Sequence, residues 1–277
     1  MLELSIEGTI KSMSKIIIGR YIPGNSVVYR MDPRSKIIGT FLFVFLMFLA
    51  NNWLTYTLLI IFTLVAIGAT KLKPKLFWNG VKPVIWLILF TSVLQMFFTT
   101  GGHTYWRWGF LKVTQVGLEN AIYLFLRFVM IICVSTVLTL TTPSLQIADA
   151  LQWIMKPLKI IRVPVDQLAL VMAIALRFVP TLMDQTVKIM NAQRARGIDF
   201  SSGSLLKRIK NIIPILIPLF ITSMTTALDL ATAMEARGYQ ENKPRSHYRI
   251  LSWTKADLIL LGYFLLLIVG LVVFRTK

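Results

Sequence analysis

Cysteine is almost missing from this chain: its 277 residues contain one, Cys133, set inside an apolar run. That excludes a disulfide framework within the chain. Histidine is nearly as rare, with only His103 and His247, far apart and expected on opposite sides of the membrane. A metal site built on histidine is not expected. No G-x-x-x-x-G-K-[ST] run occurs, so the chain is not expected to cradle a nucleotide by itself. The first 36 residues are broken by Glu3, Glu7, Lys11, Lys15, Arg20 and Asp32, and no cleavable secretory leader is expected there. Acidic residues number only 12 against 30 Lys plus Arg, a net charge of +18.

Apolar residues, by contrast, make up 56% of the chain and charged ones 15%, with a mean hydropathy of +0.68. A soluble domain is nearer roughly 45–50% apolar and about 25% charged. A nucleic-acid binder would carry its basic residues on a polar domain, and a disordered cationic tail would be far less apolar. The remaining class is an all-α integral membrane protein whose positive charge gathers on one side, with the lipid bilayer as its surroundings and no nucleic-acid partner.

A spanning helix needs about 20 mostly apolar residues. Five stretches are read as spans: 37–50, 54–70, 83–99, 117–140 and 256–274. The first is short and is expected to start within the preceding basic segment. With the N-terminus in the cytoplasm, 25 of the 30 Lys and Arg fall inside, as the positive-inside rule requires. The C-terminus is then external. Tyr105, Trp106 and Trp108, in the external loop after the Gly101-Gly102 turn, read as an interfacial aromatic anchor.

The chain thus divides into 1–140, an N-terminal segment with four spans; 141–255, cytoplasmic coupling helices; and 256–277, a last span. The middle part holds two further apolar stretches, 168–179 and 212–228. If both crossed the membrane, Lys188, Arg194, Arg196, Lys207, Arg208 and Lys210 would face outside, against the charge rule. The first has the length of a buried or re-entrant helix. Pro214 and Pro218 interrupt the second and force freed carbonyls to find other partners. Both are read as long helices that begin near or within the membrane and run out into the cytoplasm. Residues 166–196 alone would reach about 46 Å as a helix. Asp184 and Lys188 are placed for an i,i+4 pair.

These two helices end alike, in Ala195-Arg196-Gly197 and Ala236-Arg237-Gly238, each preceded by an alanine three residues earlier. Each glycine suits the left-handed residue just past a helix end. One arginine in a last turn is accounted for by the helix dipole, at a few tenths to about 1 kcal/mol. Two copies on consecutive long helices point instead to insertion into two similar pockets of a dimeric or pseudo-dimeric partner. Arg127, eight residues after Glu119, is an intramembrane charge and a site candidate by default. A static ion pair or a contact with a partner helix is preferred to a polar path. Arg177 is expected to satisfy carbonyls freed by Pro180.

Here the chain resembles a known family. The two Ala-Arg-Gly ends, with Leu176-Arg177-Phe178-Val179-Pro180 upstream, resemble the transmembrane (T) component of energy-coupling factor transporters, the EcfT/CbiQ family. Tyr21-Ile22-Pro23-Gly24-Asn25-Ser26, followed by Asp32-Pro33-Arg34 and Lys36, resembles the segment before that family's first span. Met31 stands where leucine is more usual. The resemblance covers nearly the whole chain.

It implies a non-catalytic membrane subunit of a prokaryotic plasma membrane. Such a subunit joins two cytoplasmic ATP-binding-cassette ATPases to a membrane-embedded S component that binds a vitamin or metal ion. Arg196 and Arg237 would dock into grooves on the ATPases, with Ala195, Gly197, Ala236 and Gly238 shaping the ends. ATP and Mg would sit on the partner subunits, and no cofactor on this chain. Within the family the alternative is a T component dedicated to one cobalt, nickel or biotin importer. A stand-alone secondary transporter or channel would show inverted repeats or polar residues in several spans. A membrane enzyme would need clustered acids, whereas Asp149, Asp166, Asp184, Asp199, Asp229 and Glu235 are scattered singly.

Overall fold

The computed structural model describes residues 21–108, 111–200, 204–240 and 252–274. His247 and the basic N-terminal residues Lys11, Lys15 and Arg20 lie outside the described residues, as do the side chains of Trp106 and Trp108. The chain divides into two compact units, Met1–Ala150 with Leu251–Lys277, and Leu151–Ile250.

The first unit opens with a single turn, α1 (Val27–Arg30), followed by α2 (Pro33–Leu49) and α3 (Trp53–Thr70). Then come α4 (Pro74–Val81), α5 (Ile85–Phe98) and α6 (Gln115–Thr141). The helix α7 (Ser144–Met155) leads out of this unit, and α10 (Lys255–Phe274) returns to it. Asp32 sets the start of α2: its carboxylate accepts the Arg34 amide at 2.8 Å, and Pro33 occupies the first helical position. The helix therefore starts in the basic segment, as its short apolar run requires.

The apolar runs of α2, α3, α6 and α10 converge on one core. It contains Phe43 and Met47 of α2, Tyr56, Leu59 and Phe62 of α3, Met130 and Val134 of α6, and Phe264, Leu267 and Leu271 of α10. Aromatic rings carry much of it: Phe62 stacks on Tyr263 with centroids 4.2 Å apart and on Phe43 at 5.2 Å. Offset ring pairs of this kind add about 0.5–1.5 kcal/mol each beyond area burial.

The polar joint of this unit is the Asp257 carboxylate, 1% exposed. One oxygen accepts the Asp32 amide at 2.9 Å and the Ser35 hydroxyl. The other accepts the Thr254 amide at 2.7 Å and the Thr254 hydroxyl at 2.8 Å. The start of α10 is thereby tied to the start of α2, 225 residues away in sequence. Beside it, the buried Lys36 ammonium donates to the Thr141 carbonyl at 3.2 Å and to the Thr142 hydroxyl at 3.4 Å. That places a cation on the open carbonyl end of α6.

Two features differ from the sequence expectation. The 83–99 stretch forms only α5, 14 residues long, and α4, in the basic segment before it, meets α5 at 60°. Pro83 has no amide to continue the ladder, so the break falls between Val81 and Ile85. The connection between α5 and α6 also forms a hairpin, β1 (Thr104–Trp108) with β2 (Leu111–Thr114), antiparallel and irregular between Thr104 and Trp106. Thr114 then caps α6, accepting the Gly117 amide at 3.1 Å and donating to the Thr99 carbonyl at 2.8 Å.

Gly117 is where α6 meets the end of α5. A Cβ there would lie 2.6 Å from the Met96 carbonyl oxygen and 3.1 Å from that of Thr99. Backbone atoms cannot swing aside, so Gly117→Ala should destabilise the unit by about 1–3 kcal/mol. Gly270→Ala meets the Leu58 Cδ1 at 2.6 Å, the end of a side chain that can change rotamer. It should cost less than half as much. Thermal unfolding of the two variants in detergent checks the order.

The second unit holds the end of α7, a 3-10 turn Lys156–Ile161, α8 (Val165–Ala195) and α9 (Leu205–Ala236). The Lys159 ammonium meets the Asp166 carboxylate at 2.7 Å, at the exposed start of α8. The helices α8 and α9 pack antiparallel: Gln193 meets Pro214, while Phe178, Leu182 and Gln185 line a hollow with Ser223, Thr226 and Leu230. Among the described residues, five helices are long and apolar enough to cross a membrane: α3, α6, α8, α10 and, from Lys210 onward, α9. The bent α4–α5 pair adds a sixth, whereas α2 has 17 residues.

Proline does what its chemistry dictates in α9. Pro218 lacks the amide that would have bonded the Pro214 carbonyl. The buried Gln193 side chain donates to that carbonyl instead, at 3.3 Å. Across Pro180 α8 likewise stays one helix. Arg177 is exposed and has no hydrogen bond or ion pair among the described residues, so it does not serve the carbonyl that Pro180 frees. Asp184 and Lys188 likewise form no ion pair.

Candidate functional site: two arginine-tipped helix ends

The ends of α8 and α9 are built alike, bond for bond. At the first, Gly197 N–H donates to the Arg194 carbonyl at 2.9 Å and Ile198 N–H to the Gln193 carbonyl at 3.1 Å. At the second, Gly238 N–H donates to the Glu235 carbonyl at 2.8 Å and Tyr239 N–H to the Met234 carbonyl at 3.0 Å. Both are Schellman ends, which close the last carbonyls by turning one residue left-handed. That residue is Gly197 (φ +87) in one and Gly238 (φ +75) in the other. The preceding arginines adopt nearly the same backbone, φ −84 and ψ 5 at Arg196 and φ −87 and ψ 10 at Arg237.

The six side-chain positions of the two motifs, Ala195, Arg196, Gly197, Ala236, Arg237 and Gly238, are all exposed. Neither guanidinium has a hydrogen bond or ion pair among the described residues. Nothing lies within 4 Å of a Cβ built on either glycine. Each end is therefore a narrow cationic tip, low on every side except at the arginine.

The surroundings of the tips differ. The Arg194 guanidinium lies 6.0 Å over the Phe200 ring, and Asn211 donates to the Asp199 carbonyl at 2.7 Å. The first tip is thus braced by its own loop. Antiparallel packing also puts the tips at opposite poles of the helix pair. Gln193 is level with Pro214, and the 23 residues from there to Arg237 cover on the order of 35 Å at the α-helical rise. A nine-residue connection, 196–204, enforces the reversal. The sequence reading, with both helices running outward from lipid, does not anticipate this separation.

Between the tips, α9 keeps a broad apolar face open. Leu216, Ile217, Phe220, Ile221 and Leu228 are 54–69% exposed. On α8, Leu168 and Val171 are 44% and 64% exposed. The 168–179 stretch is not buried by its own unit.

The intramembrane candidates belong to the first unit. Arg127 donates to the Tyr56 hydroxyl at 2.8 Å and lies 5.2 Å over the Phe48 ring. Glu119 instead accepts from the Gln115 amide at 3.2 Å. The Glu119–Arg127 ion pair is not formed. Eight residues separate the two by about 12 Å along the axis, and Tyr123, on the intervening turn, stacks against Tyr56 at 4.4 Å. Arg127 thus ties α6 to α3 and α2. Sequence reasoning also passed over Asp257, although Thr254-x-x-Asp257 before an apolar run is a capping-box signal.

Known proteins match this chain over nearly all of its length. Residues 24–248 match the family model CbiQ, described as cobalt transport protein. A protein of Lactobacillus helveticus named energy-coupling factor transporter transmembrane protein EcfT is 61% identical over 264 residues, covering 95% of each chain. Its namesake in Lactococcus lactis is 52% identical over 248 residues, covering 90% of this chain and 93% of that one. In Listeria monocytogenes the protein EcfT 1 is 48% identical over 265 residues, covering 96% of this chain and all of the other. With these matches beside its long apolar helices, the chain belongs to the CbiQ/EcfT family: it is a multi-pass membrane protein and the transmembrane component of an energy-coupling factor transporter.

Proposed function

We propose that this chain is the mechanical link of an ATP-driven micronutrient importer, with each arginine tip seated in one of two cytoplasmic ATPase subunits. The observation that carries this reading is the pair of matching tips, Arg196 and Arg237, both exposed, unpartnered and at opposite poles of one antiparallel helix pair. Two identical plugs about 35 Å apart suit two related sockets on a two-lobed partner. A guanidinium is the side chain best shaped to bridge carboxylates or carbonyls in such a socket.

Membrane placement follows from the same pair. If α8 and α9 crossed the bilayer as a hairpin, their tips would face opposite sides. With both tips in the cytoplasm, the pair must lie along the membrane surface. The charge distribution supports this: 25 of 30 Lys and Arg fall inside when the N-terminus is cytoplasmic, and the C-terminus is then external. The open apolar face of α9 is left for a membrane-embedded S component that holds the cargo. Closure of the ATPase pair on ATP draws the tips together, tilts α8 and α9, and moves the S component riding on them. The chain itself is non-catalytic and binds no cofactor; ATP and Mg belong to the ATPases.

Purifying the chain from its native membrane tests this reading. The expected stoichiometry is one copy with two ATPase polypeptides and one small apolar membrane protein. Recovery of the chain alone, under conditions where the ATPases are expressed, contradicts it. A second reading, a component dedicated to one cargo, is favoured by the matched family's description as cobalt transport protein. Relatives named EcfT carry no cargo in their names, and co-purification of several different S components decides for a shared component.

A further inference from the structure

The first unit contains a hollow of about 370 Å³ that neither the core nor the arginine tips use. Its floor is the buried Phe62, Phe264 and Val134. Small residues, Gly39, Ala66 and Ala69, make the space. Its mouth is framed by Val27, Val65 and Ile259, which are 50%, 51% and 66% exposed. The hollow therefore opens on the outer wall of the helices rather than into a sealed core.

Every polar group on its lining is already bonded within the protein. The Lys36 ammonium is held by Thr141 and Thr142, and the Thr40 hydroxyl donates to the Lys36 carbonyl at 2.9 Å. The Thr141 hydroxyl donates to the Val137 carbonyl at 2.7 Å and the Tyr263 hydroxyl to the Phe62 carbonyl at 3.4 Å. Water needs two to four polar partners to occupy a cavity, and the few polar groups here are engaged with one another on a lining that is otherwise apolar. Such a lining suits an apolar occupant.

Around the mouth the chemistry reverses. Arg30 precedes the lining residue Met31, Lys71 follows the lining residue Ala69 by two positions, and Lys255 lies one helical turn before Ile259. The Arg30 carbonyl oxygen lies 3.4 Å from the Thr254 hydroxyl oxygen, so Arg30 and Lys255 border the same edge. All three cations are exposed and none forms an ion pair among the described residues. The carboxylates close by in sequence, Asp32 and Asp257, are buried.

We propose that this hollow binds one anionic phospholipid, with an acyl chain inserted among Phe62, Ala66, Ala69 and Phe264 and its phosphate held by Arg30, Lys71 and Lys255. The charge at the rim selects an anionic headgroup over a zwitterionic one, since each basic residue at a membrane surface favours anionic lipid by about fivefold. The bound chain fills the gap between α2, α3 and α10 beside the Asp257 joint.

The test is lipid retention by the purified full-length chain in detergent, read by native mass spectrometry. Phosphatidylglycerol and phosphatidylcholine with identical acyl chains are supplied in equal amounts. One phosphatidylglycerol should be retained in preference to phosphatidylcholine. Arg30→Gln with Lys71→Gln and Lys255→Gln, all surface changes, should lower phosphatidylglycerol retention by about fivefold per cation and phosphatidylcholine retention by less, since its choline offsets the phosphate charge. Ala66→Leu with Ala69→Phe should lower retention of both lipids. Equal retention of the two lipids by the native chain overturns the proposal, as does undiminished retention by the glutamine variant. Displacement of the lipid by glycerol phosphate alone also overturns it, because the site would then be a free-phosphate site.

Discussion

Reversing the charge on both tips, Arg196→Glu with Arg237→Glu, is expected to abolish recovery of the ATPases with this chain and to stop uptake. A buried arginine at the centre of an interface is worth roughly 2 kcal/mol or more, about thirtyfold in affinity. Two tips acting independently give roughly a thousandfold. Either single reversal leaves the other tip engaged and should weaken the complex by about thirtyfold without dissolving it. The chain itself should be unaffected, because neither guanidinium has a partner within it among the described residues. Exposed substitutions of that kind stay within about 0.5 kcal/mol. Pull-down from detergent, with thermal unfolding of the isolated chain as its control, checks both halves.

The second large effect lies far from the tips. Asp257→Ala removes the acceptor of four donors: the amides of Asp32 and Thr254 and the hydroxyls of Ser35 and Thr254. Hydrogen bonds to a charged group contribute about 1.5–3 kcal/mol each, and the Asp32 and Ser35 donors left behind are buried. The expected loss is roughly 3–5 kcal/mol, enough to separate the start of α10 from α2 in a domain of ordinary stability. Asp257→Asn keeps an oxygen for Asp32 and Ser35 but turns an amide toward the Thr254 donors. It should cost about half as much. A shift of the melting transition in detergent that is larger for alanine than for asparagine supports the joint. Two variants as stable as the native chain would refute it.

What could be read beforehand and what could not divide along a physical line. The tips were legible because they are local: Ala-x-x-Ala-Arg-Gly carries its own helix end and its left-handed glycine. The start of α2 was legible for the same reason, through Asp32-Pro33. So was the need of the freed carbonyls in α9 for new partners, although only the folded pair shows that Gln193 supplies one. Pairings across the chain were not legible. Glu119 and Arg127 share a helix face, but Tyr123 stands between them, and the preferred partner, Tyr56, lies 71 residues away. The bend between α4 and α5 was not legible, because Lys75, Asn79, Gly80 and Lys82 make the segment before Pro83 read as a link between spans. The hairpin at Thr104–Thr114 is short enough to read as a loop.

The opposite poles of α8 and α9 matter most for mechanism. Each helix alone ends in an exposed arginine, but only their antiparallel packing separates the two tips far enough for two sockets. In the proposed assembly this separation would make the packed pair a lever, with force applied at either pole carried along it.

The most direct measurement is site-specific cross-linking of the assembled complex from its native membrane. Cysteine is introduced singly at Ala195 or at Ala236, with the native Cys133 replaced by serine so that each tip reports alone. The account predicts that each tip cross-links to an ATPase at high yield, at equivalent grooves of two different subunits, and that the distance between cross-linked positions shortens when ATP is added. Cross-links from both tips to a single subunit, or to the membrane-embedded partner in place of the ATPases, would contradict it.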